Sequence, residues 1–275
     1  MPELPEVEVV RADLAAEVVG RTITTVRATG ARTIRRAASA RVFSASLRGA
    51  RVEAVARRGK YLLVGLDRGR TLVVHLRMSG QLLLAHPSDP LARHTHVVLG
   101  LDDGRELRFV DPRTFGELFV VGTDELDAVA SLARLGPEPS DVAVDDFVAA
   151  LAGRRARIKS ALMDQRVVAG VGNIYSDEAL HRVGVRGDAR CCDVPSDRLA
   201  ALHGAVVAVL GEAVAHRGSS LGDDQYVDLH GRPGGFRPHH RVYGRPGLPC
   251  PACGTLVVRE VVGGRSAHRC PSCQP

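Results

Sequence analysis

Apolar positions change their spacing twice along this chain, and each change marks a different kind of structure. Near the start, Val7, Val10, Leu14 and Val18 recur at three- and four-residue intervals, which places them on one face of a helix. Pro5 suits the opening of that helix and Gly20 its end. From Arg21 to Val121 the pattern shortens to β-branched runs: Thr22 to Val26, Tyr61 to Leu66, Thr71 to Leu76, His96 to Leu101 and Leu118 to Val121. Asp67-Arg68-Gly69 and Asp102-Asp103-Gly104 punctuate these runs as turns. Regular strands with polar turns predict an antiparallel sandwich or barrel.

Beyond Leu135-Gly136-Pro137-Glu138-Pro139 helical periodicity returns and lasts to about His216. It predicts helices near Asp145 to Ala152, Arg154 to Met163, Asn173 to Val183 and Ser196 to His216, with Gly170 and Gly172 as breaks. The stretch Gly218 to Gly247, rich in Gly, Pro, His and Arg, reads as a long functional loop or lid. No internal repeat is evident. Strands first and helices second make a two-domain α+β protein, and 275 residues suffice for two cores.

Composition narrows the class. Hydrophobic residues at 45% and charged residues at 25% are the balance of a globular chain. No apolar run reads as approaching the ~20 residues that span a bilayer, so no membrane role is expected. The opening residues carry Glu3 and Glu6 and no basic stretch, which predicts no secretion signal and a cytoplasmic protein. A formal charge of +6 favours a polyanionic partner. Of the 37 basic residues only Lys60 and Lys159 are lysine, which marks those two as candidates for a compact ammonium.

Four of the six cysteines form two Cys-x-x-Cys pairs, Cys250 with Cys253 and Cys270 with Cys273, joined by a strand pattern from Leu256 to Val262 and a Gly263-Gly264 turn. Four thiolates at this spacing predict one closed, structural zinc site per chain. The hairpin also carries Arg259, Arg265 and Arg269, suited to phosphate contact or a solvated face. Cys191 and Cys192 are expected to be inert.

Pro2 follows Met1, and removal of the methionine would expose a secondary amine. Such a group is partly neutral at physiological pH and can attack an electrophilic carbon to give an iminium. Glu3 beside it could exchange protons with the reacting group. Taken alone, Pro-Glu also opens ordinary helices.

The chain's opening, Met1-Pro2-Glu3-Leu4-Pro5-Glu6-Val7-Glu8, resembles that of the formamidopyrimidine-DNA glycosylase and endonuclease VIII family, and most closely the formamidopyrimidine branch. The resemblance continues through Arg57-Arg58-Gly59-Lys60-Tyr61, His75-Leu76-Arg77-Met78-Ser79-Gly80, Asp111-Pro112-Arg113-Thr114-Phe115-Gly116, Gly170-Val171-Gly172-Asn173-Ile174-Tyr175, Val242-Tyr243-Gly244-Arg245 and the cysteine array. It implies a β-sandwich domain over 1–125, a linker over 126–136, a helix-two-turn-helix domain with a lesion-covering loop over 137–248, and a zinc finger over 249–275.

The function it implies is a bifunctional glycosylase and abasic-site lyase of base excision repair, acting as a monomer on double-stranded DNA that contains oxidised purines. Pro2 would be the nucleophile, Glu3 the acid and base, and Lys60 a third catalytic residue. Met78, Arg113 and Phe115 would fill the gap left by an extruded nucleotide. Glu6, His94, Lys159, Asn173, Ser219, Ser220, Tyr226, Tyr243 and Arg265 would contact DNA or the damaged base. From pattern alone Met78 and Phe115 suit a sandwich core, and His94 with His96 offers a metal pair lacking further ligands. Two departures stand out: the loop Gly218 to Tyr226 is not the common form, and Arg269 precedes Cys270 where an aromatic residue is common. Preference for oxidised pyrimidines, or a non-catalytic DNA-binding protein built on the finger, are the alternative readings.

Overall fold

The apolar face that opens the chain forms helix α1 (Leu4–Val18), with Val7, Leu14 and Val18 almost wholly removed from solvent. The computed structural model describes residues 2–222 and 226–275. The chain divides into two compact units, Met1–Ala133 with His216–Gly235, and Arg134–Ala215 with Phe236–Pro275.

In the first unit, α1 is followed by β1 (Ile23–Ala28), α2 (Ala40–Leu47), β2 (Val52–Arg58), β3 (Tyr61–Leu66), β4 (Arg70–His75) and β5 (Gln81–Ala85). Then come β6 (Thr95–Leu101), β7 (Glu106–Val110), β8 (Glu117–Gly122) and the short α3 (Ala130–Ala133). Two four-stranded antiparallel sheets result, ordered β1-β6-β7-β5 and β2-β3-β4-β8. Alternate residues point inward, Leu62, Val64 and Leu66 from one sheet and Val97, Leu99 and Leu101 from the other, and they share one core. The sandwich therefore replaces the barrel alternative. Between Arg21 and Val121 only strands were expected, and α2 is the exception. Ser39 caps it by accepting the Val42 N–H at 3.2 Å, and only Phe43 and Leu47 reach the core.

The segment His216–Gly235 belongs to this unit, although from Gly218 on it lay within the expected loop Gly218 to Gly247. Tyr226 and Leu229 join the sandwich core, and the Leu229 carbonyl accepts the Leu84 N–H at 2.9 Å. Arg217 donates to Asp13 of α1 at 2.5 Å and to buried Asp228 at 2.6 Å.

The second unit contains α4 (Val144–Ala152), α5 (Ile158–Met163), α6 (Asn173–Arg182), α7 (Ser196–Ala215) and a hairpin of β9 (Val258–Val262) and β10 (Arg265–Arg269). Helix α5 starts later than its periodicity suggested, because Arg157 is extended and pairs with Arg190. Helix α7 is 20 residues long with a mean hydropathy of 1.5, enough by length and composition to cross a bilayer, which corrects the reading of the sequence. Its stripe of Leu199, Leu202, Val206, Val209, Leu210 and Ala213 is buried, and it packs on α4 and α6, as a core helix does. The β9–β10 turn is Gly263-Gly264, with both residues at positive φ, as a tight hairpin turn requires.

Candidate functional site

At the amino terminus of α1 three side chains are removed from solvent together. Pro2 is buried, Glu3 is 2% exposed and Glu6 is 1% exposed. The Oε2 of Glu6 accepts the Glu3 N–H at 2.8 Å, and its Oε1 accepts the Ser219 N–H at 2.8 Å. One carboxylate thus fixes the backbone of the second helix-opening residue and the start of the returning segment. Ser219 and Ser220 are buried there. Ser220 Oγ donates to the Tyr226 carbonyl at 2.5 Å and accepts the Gly234 N–H at 2.8 Å. Tyr226, expected at the damaged base, lies instead in the core, its hydroxyl donating to the Arg217 carbonyl at 3.1 Å. Burial pushes its phenol well above the ordinary range. Met1 and residues 223–225 of the expected lesion-covering loop lie outside the described residues.

Lys60 sits in the turn between β2 and β3, beside Gly59 at φ +55°. Arg57 ties that turn to α1, donating to Glu8 Oε2 at 2.8 Å and to the Gly59 carbonyl at 2.9 Å.

Met78, Arg113 and Phe115 stand on two loops that both cross from one sheet to the other, β4 to β5 and β7 to β8. Met78 is half-buried and Phe115 is 41% exposed, so the core reading for them fails. With Arg32, Arg35, Arg77 and Thr114 they line a basic concavity of about 470 Å³. The Arg113 guanidinium lies 5.4 Å from the Phe115 ring centre. Buried His75 supports this rim, its Nδ1 accepting the Arg77 N–H at 3.0 Å. Burial, followed by the charges of Arg77, Lys60 and Arg35, holds the His75 pKa well below 6.5. Exposed His94 lies 6.5 Å from His96, ring to ring, and His96 Nε2 meets the Asp111 carbonyl at 2.9 Å. Among the described residues the four cysteines are the one group spaced to hold a metal.

In the second unit a different cluster forms at the start of α6. Asn173 Nδ2 lies 3.3 Å from Ser266 Oγ and 3.5 Å from the Tyr243 hydroxyl, while its buried Oδ1 has no partner among the described residues. Two carboxylates further along α6 organise the surroundings. Glu178 accepts the N–H groups of Arg241, Val242 and Tyr243, and Asp177 accepts the His268 N–H at 2.8 Å. Arg265 is exposed at the hairpin's tip.

Lys159, expected at a phosphate, lies away from solvent in this structure. It is wholly buried, with Nζ 2.5 Å from Asp177 Oδ1 and 2.7 Å from the Ser266 carbonyl. In this position it braces α5 and α6 against the hairpin. Sequence reasoning singled out the lysine but missed its partner, because an acid within a helix carries no sign of where it points.

The sulfurs of Cys250, Cys253, Cys270 and Cys273 lie within 4.8 Å of one another, with close approaches of 3.3, 3.4 and 3.9 Å. Tetrahedral thiolates around zinc would stand ~3.8 Å apart, so the donor set fits that ion. Hydrogen bonds from Thr255 hold the Cys253 thiol down at about 6. Cys191 is buried with its thiol pushed up, and Cys192 is exposed.

Three family profiles match in succession: the formamidopyrimidine-DNA glycosylase N-terminal domain over residues 1–118, its H2TH domain over 135–225, and the zinc finger found in FPG and IleRS over 247–275. The chain belongs to the formamidopyrimidine-DNA glycosylase family. This family member is 45% identical to the formamidopyrimidine-DNA glycosylase of Herpetosiphon aurantiacus over all of both chains. It is 41% identical to that of Pelotomaculum thermopropionicum, over all of this chain and 99% of the relative. Among solved structures, MutM (Fpg) from Thermus thermophilus superposes with a TM-score of 0.89 at 42% identity, covering 99% of this chain and 98% of the other. Lactococcus lactis Fpg bound to DNA containing an abasic site gives 0.92 at 32% identity, covering 99% of each. The same protein has been solved with DNA containing an oxidised pyrimidine, at 0.91 and 32%, again covering 99% of each.

Proposed function

We propose that this chain is a bifunctional DNA glycosylase and abasic-site lyase that excises oxidised purines, 8-oxoguanine and formamidopyrimidines, from double-stranded DNA. Its place is in cytoplasmic base excision repair, where it works as a monomer. The observation that carries this reading is the buried arrangement of Pro2, Glu3 and Glu6 at the head of α1. A terminal amine can act as a nucleophile only if neutral and held in place, and this enclosure provides the holding.

The Pro2 nitrogen attacks C1′ of the everted nucleotide and gives its proton to the Glu3 carboxylate, while the bond from C1′ to the base breaks with its electron pair leaving on the base, which takes a proton from water. The Glu3 carboxyl protonates the ring oxygen, so the sugar opens and an iminium joins Pro2 to C1′. Loss of the C2′ proton expels the 3′ phosphate, and loss of the C4′ proton then expels the 5′ phosphate. Lys60, at the turn tied to α1, attracts a phosphate beside the lesion, and Met78, Arg113 and Phe115 fill the space the nucleotide leaves. Asn173 at the start of α6, with Tyr243 and exposed Arg265, suits phosphate binding, since a helix amino terminus favours an anion. The four cysteines would hold one zinc ion, which supplies a structural cross-link and no chemistry.

Borohydride trapping tests the reading. It reduces the iminium to a stable amine, so wild-type protein with a duplex carrying 8-oxoguanine yields a covalent adduct mapping to Pro2 by mass spectrometry. A parallel duplex with an oxidised pyrimidine reads lesion preference. Absence of adduct on every lesion would favour a DNA-binding protein without catalysis.

A further inference from the structure

Asp111 is completely buried, and among the described residues every hydrogen bond its side chain accepts comes from one of the two loops that carry the wedge residues. Its Oδ1 accepts the Ser79 hydroxyl at 2.5 Å, from the loop of Met78, and the Arg113 N–H at 3.2 Å. Its Oδ2 accepts the Gly116 N–H at 2.6 Å, directly after Phe115. The residue before each apolar wedge is non-glycine in the left-handed region, Arg77 at φ +57° and Thr114 at φ +54°. Such a conformation persists only where its surroundings enforce it. The Phe109 ring lies against both loops as well. A Cβ at Gly80 would come within 2.9 Å of it and one at Gly116 closer still, so the backbone of each loop is seated directly on this one ring.

We infer that Asp111 is a positioning residue that joins the two wedge loops into one rigid unit through Ser79, so that Met78 and Phe115 enter the duplex together. The inference rests on the proposed role of Met78, Arg113 and Phe115 in filling the gap of an everted nucleotide. The physical basis is that a buried carboxylate receiving three donors makes a stiff junction, because withdrawing any donor leaves charge unsatisfied in a low-dielectric site. The two loops leave different sheets, and the Ser79 hydroxyl is the bond by which the Met78 loop reaches this carboxylate.

Ser79→Ala removes the bond between the loops and leaves the Arg113 and Gly116 donors in place. Single-turnover excision of 8-oxoguanine from a duplex should slow by about tenfold or more, the size of loss that small misplacement of a reacting assembly gives. Cleavage of an abasic site in single-stranded DNA, which has no stacked partner to wedge apart, should stay at the wild-type rate. Ser79→Thr, which keeps the hydroxyl, should restore duplex excision. In the wild type, Met78→Ala and Phe115→Ala should combine non-additively, and in the Ser79→Ala background their effects should simply multiply. Hydrogen exchange at the Gly116 amide of the free protein should quicken in Ser79→Ala. Unchanged duplex excision in Ser79→Ala, or equal slowing on both DNAs, would overturn the inference. If wild-type protein acted on neither DNA, the glycosylase reading would be what failed. Gly116 exchange would then decide the junction alone, and an unchanged rate would refute it.

Discussion

The Oε1 of Glu6 accepts the main-chain N–H of Ser219 at 2.8 Å, joining residues 213 positions apart in the chain. Its other oxygen holds the Glu3 N–H, so the carboxylate sets the head of α1 against the segment that returns beside it. Glu6→Gln replaces one of these acceptors by an amide that cannot accept. The variant should lose about 1–3 kcal/mol of stability in urea unfolding, the cost of an unmet buried donor. Base excision should fall by about tenfold or more while duplex binding persists. Wild-type excision by Glu6→Gln would remove Glu6 from the site.

Pro2→Gly and Glu3→Gln separate chemistry from binding. Both should bind lesion-containing duplex within about twofold of wild type while base release drops by about a hundredfold or more, because in the proposed mechanism the lost interactions would be made only as the sugar reacts. Gel-shift affinity and single-turnover rate, measured on the same preparations, check this. Full activity in both variants would dismiss their proposed roles.

Lys159 and Asp177 form a wholly buried ion pair, so removing one partner leaves the other uncompensated. Lys159→Ala should cost about 3–5 kcal/mol in denaturant unfolding. The salt dependence of DNA binding should hardly change. A phosphate-binding lysine would instead reduce that slope by about one charge and spare stability.

Each unit contains a buried imidazole kept neutral by its surroundings. Burial and nearby cations hold His75 well below 6.5, and burial lowers His240 to about 4. Because these folded-state values lie below the unfolded one, unfolding takes up protons as pH falls beneath about 6.5. Stability is therefore complete above that pH and declines by roughly 1.4 kcal/mol per pH unit for each imidazole on the acid side. Thermal midpoints from pH 7.5 to 5 should show the fall. His75→Asn, which retains an acceptor for the Arg77 N–H, should flatten part of it. An unaltered acid slope in this variant would count against the assignment.

Around the finger's cysteines the apolar core is very small, Val242, Cys250, Val257 and Cys270 with Cys273 packed against them, and the hairpin strands add only Val262 and Ala267 as buried apolar side chains. So few apolar groups cannot hold a hairpin, whereas binding a structural zinc ion contributes about 10–16 kcal/mol. Titration with a mercurial should release one zinc per chain. The amides of Val258–Arg269 should then lose exchange protection while those of β3 and β4 keep theirs, since the sandwich has its own core. Retained protection in metal-free protein would contradict the account.

Sequence periodicity located α1, β3 and the interior of α7 closely, because each buries a long regular stripe. It passed over α2, whose inward face is only Phe43 and Leu47, too little to register against the strands around it. The cysteine spacing was legible because it lies in contiguous motifs, whereas the apolar pattern alone set Met78 and Phe115 in a core that exposed Phe115 does not join. Asp111, Asp177 and Glu178 were not legible, since each acts on residues brought near only by the fold. Lys159 and Tyr226 show the complementary limit, because the scarcity of lysine marked the one and the family resemblance the other, and neither could say that both are buried.

Tyr226 and Leu229 complete a core whose other buried members all lie before residue 119. During synthesis the sandwich must therefore wait with that part of its interior uncovered while roughly a hundred further residues are added, about 5–20 s at ordinary elongation rates. A nascent chain stalled before Leu229 should thus expose apolar surface to chaperones, and truncations that remove Tyr226 and Leu229 should weaken the amino-terminal sandwich although they lie far from it in the chain.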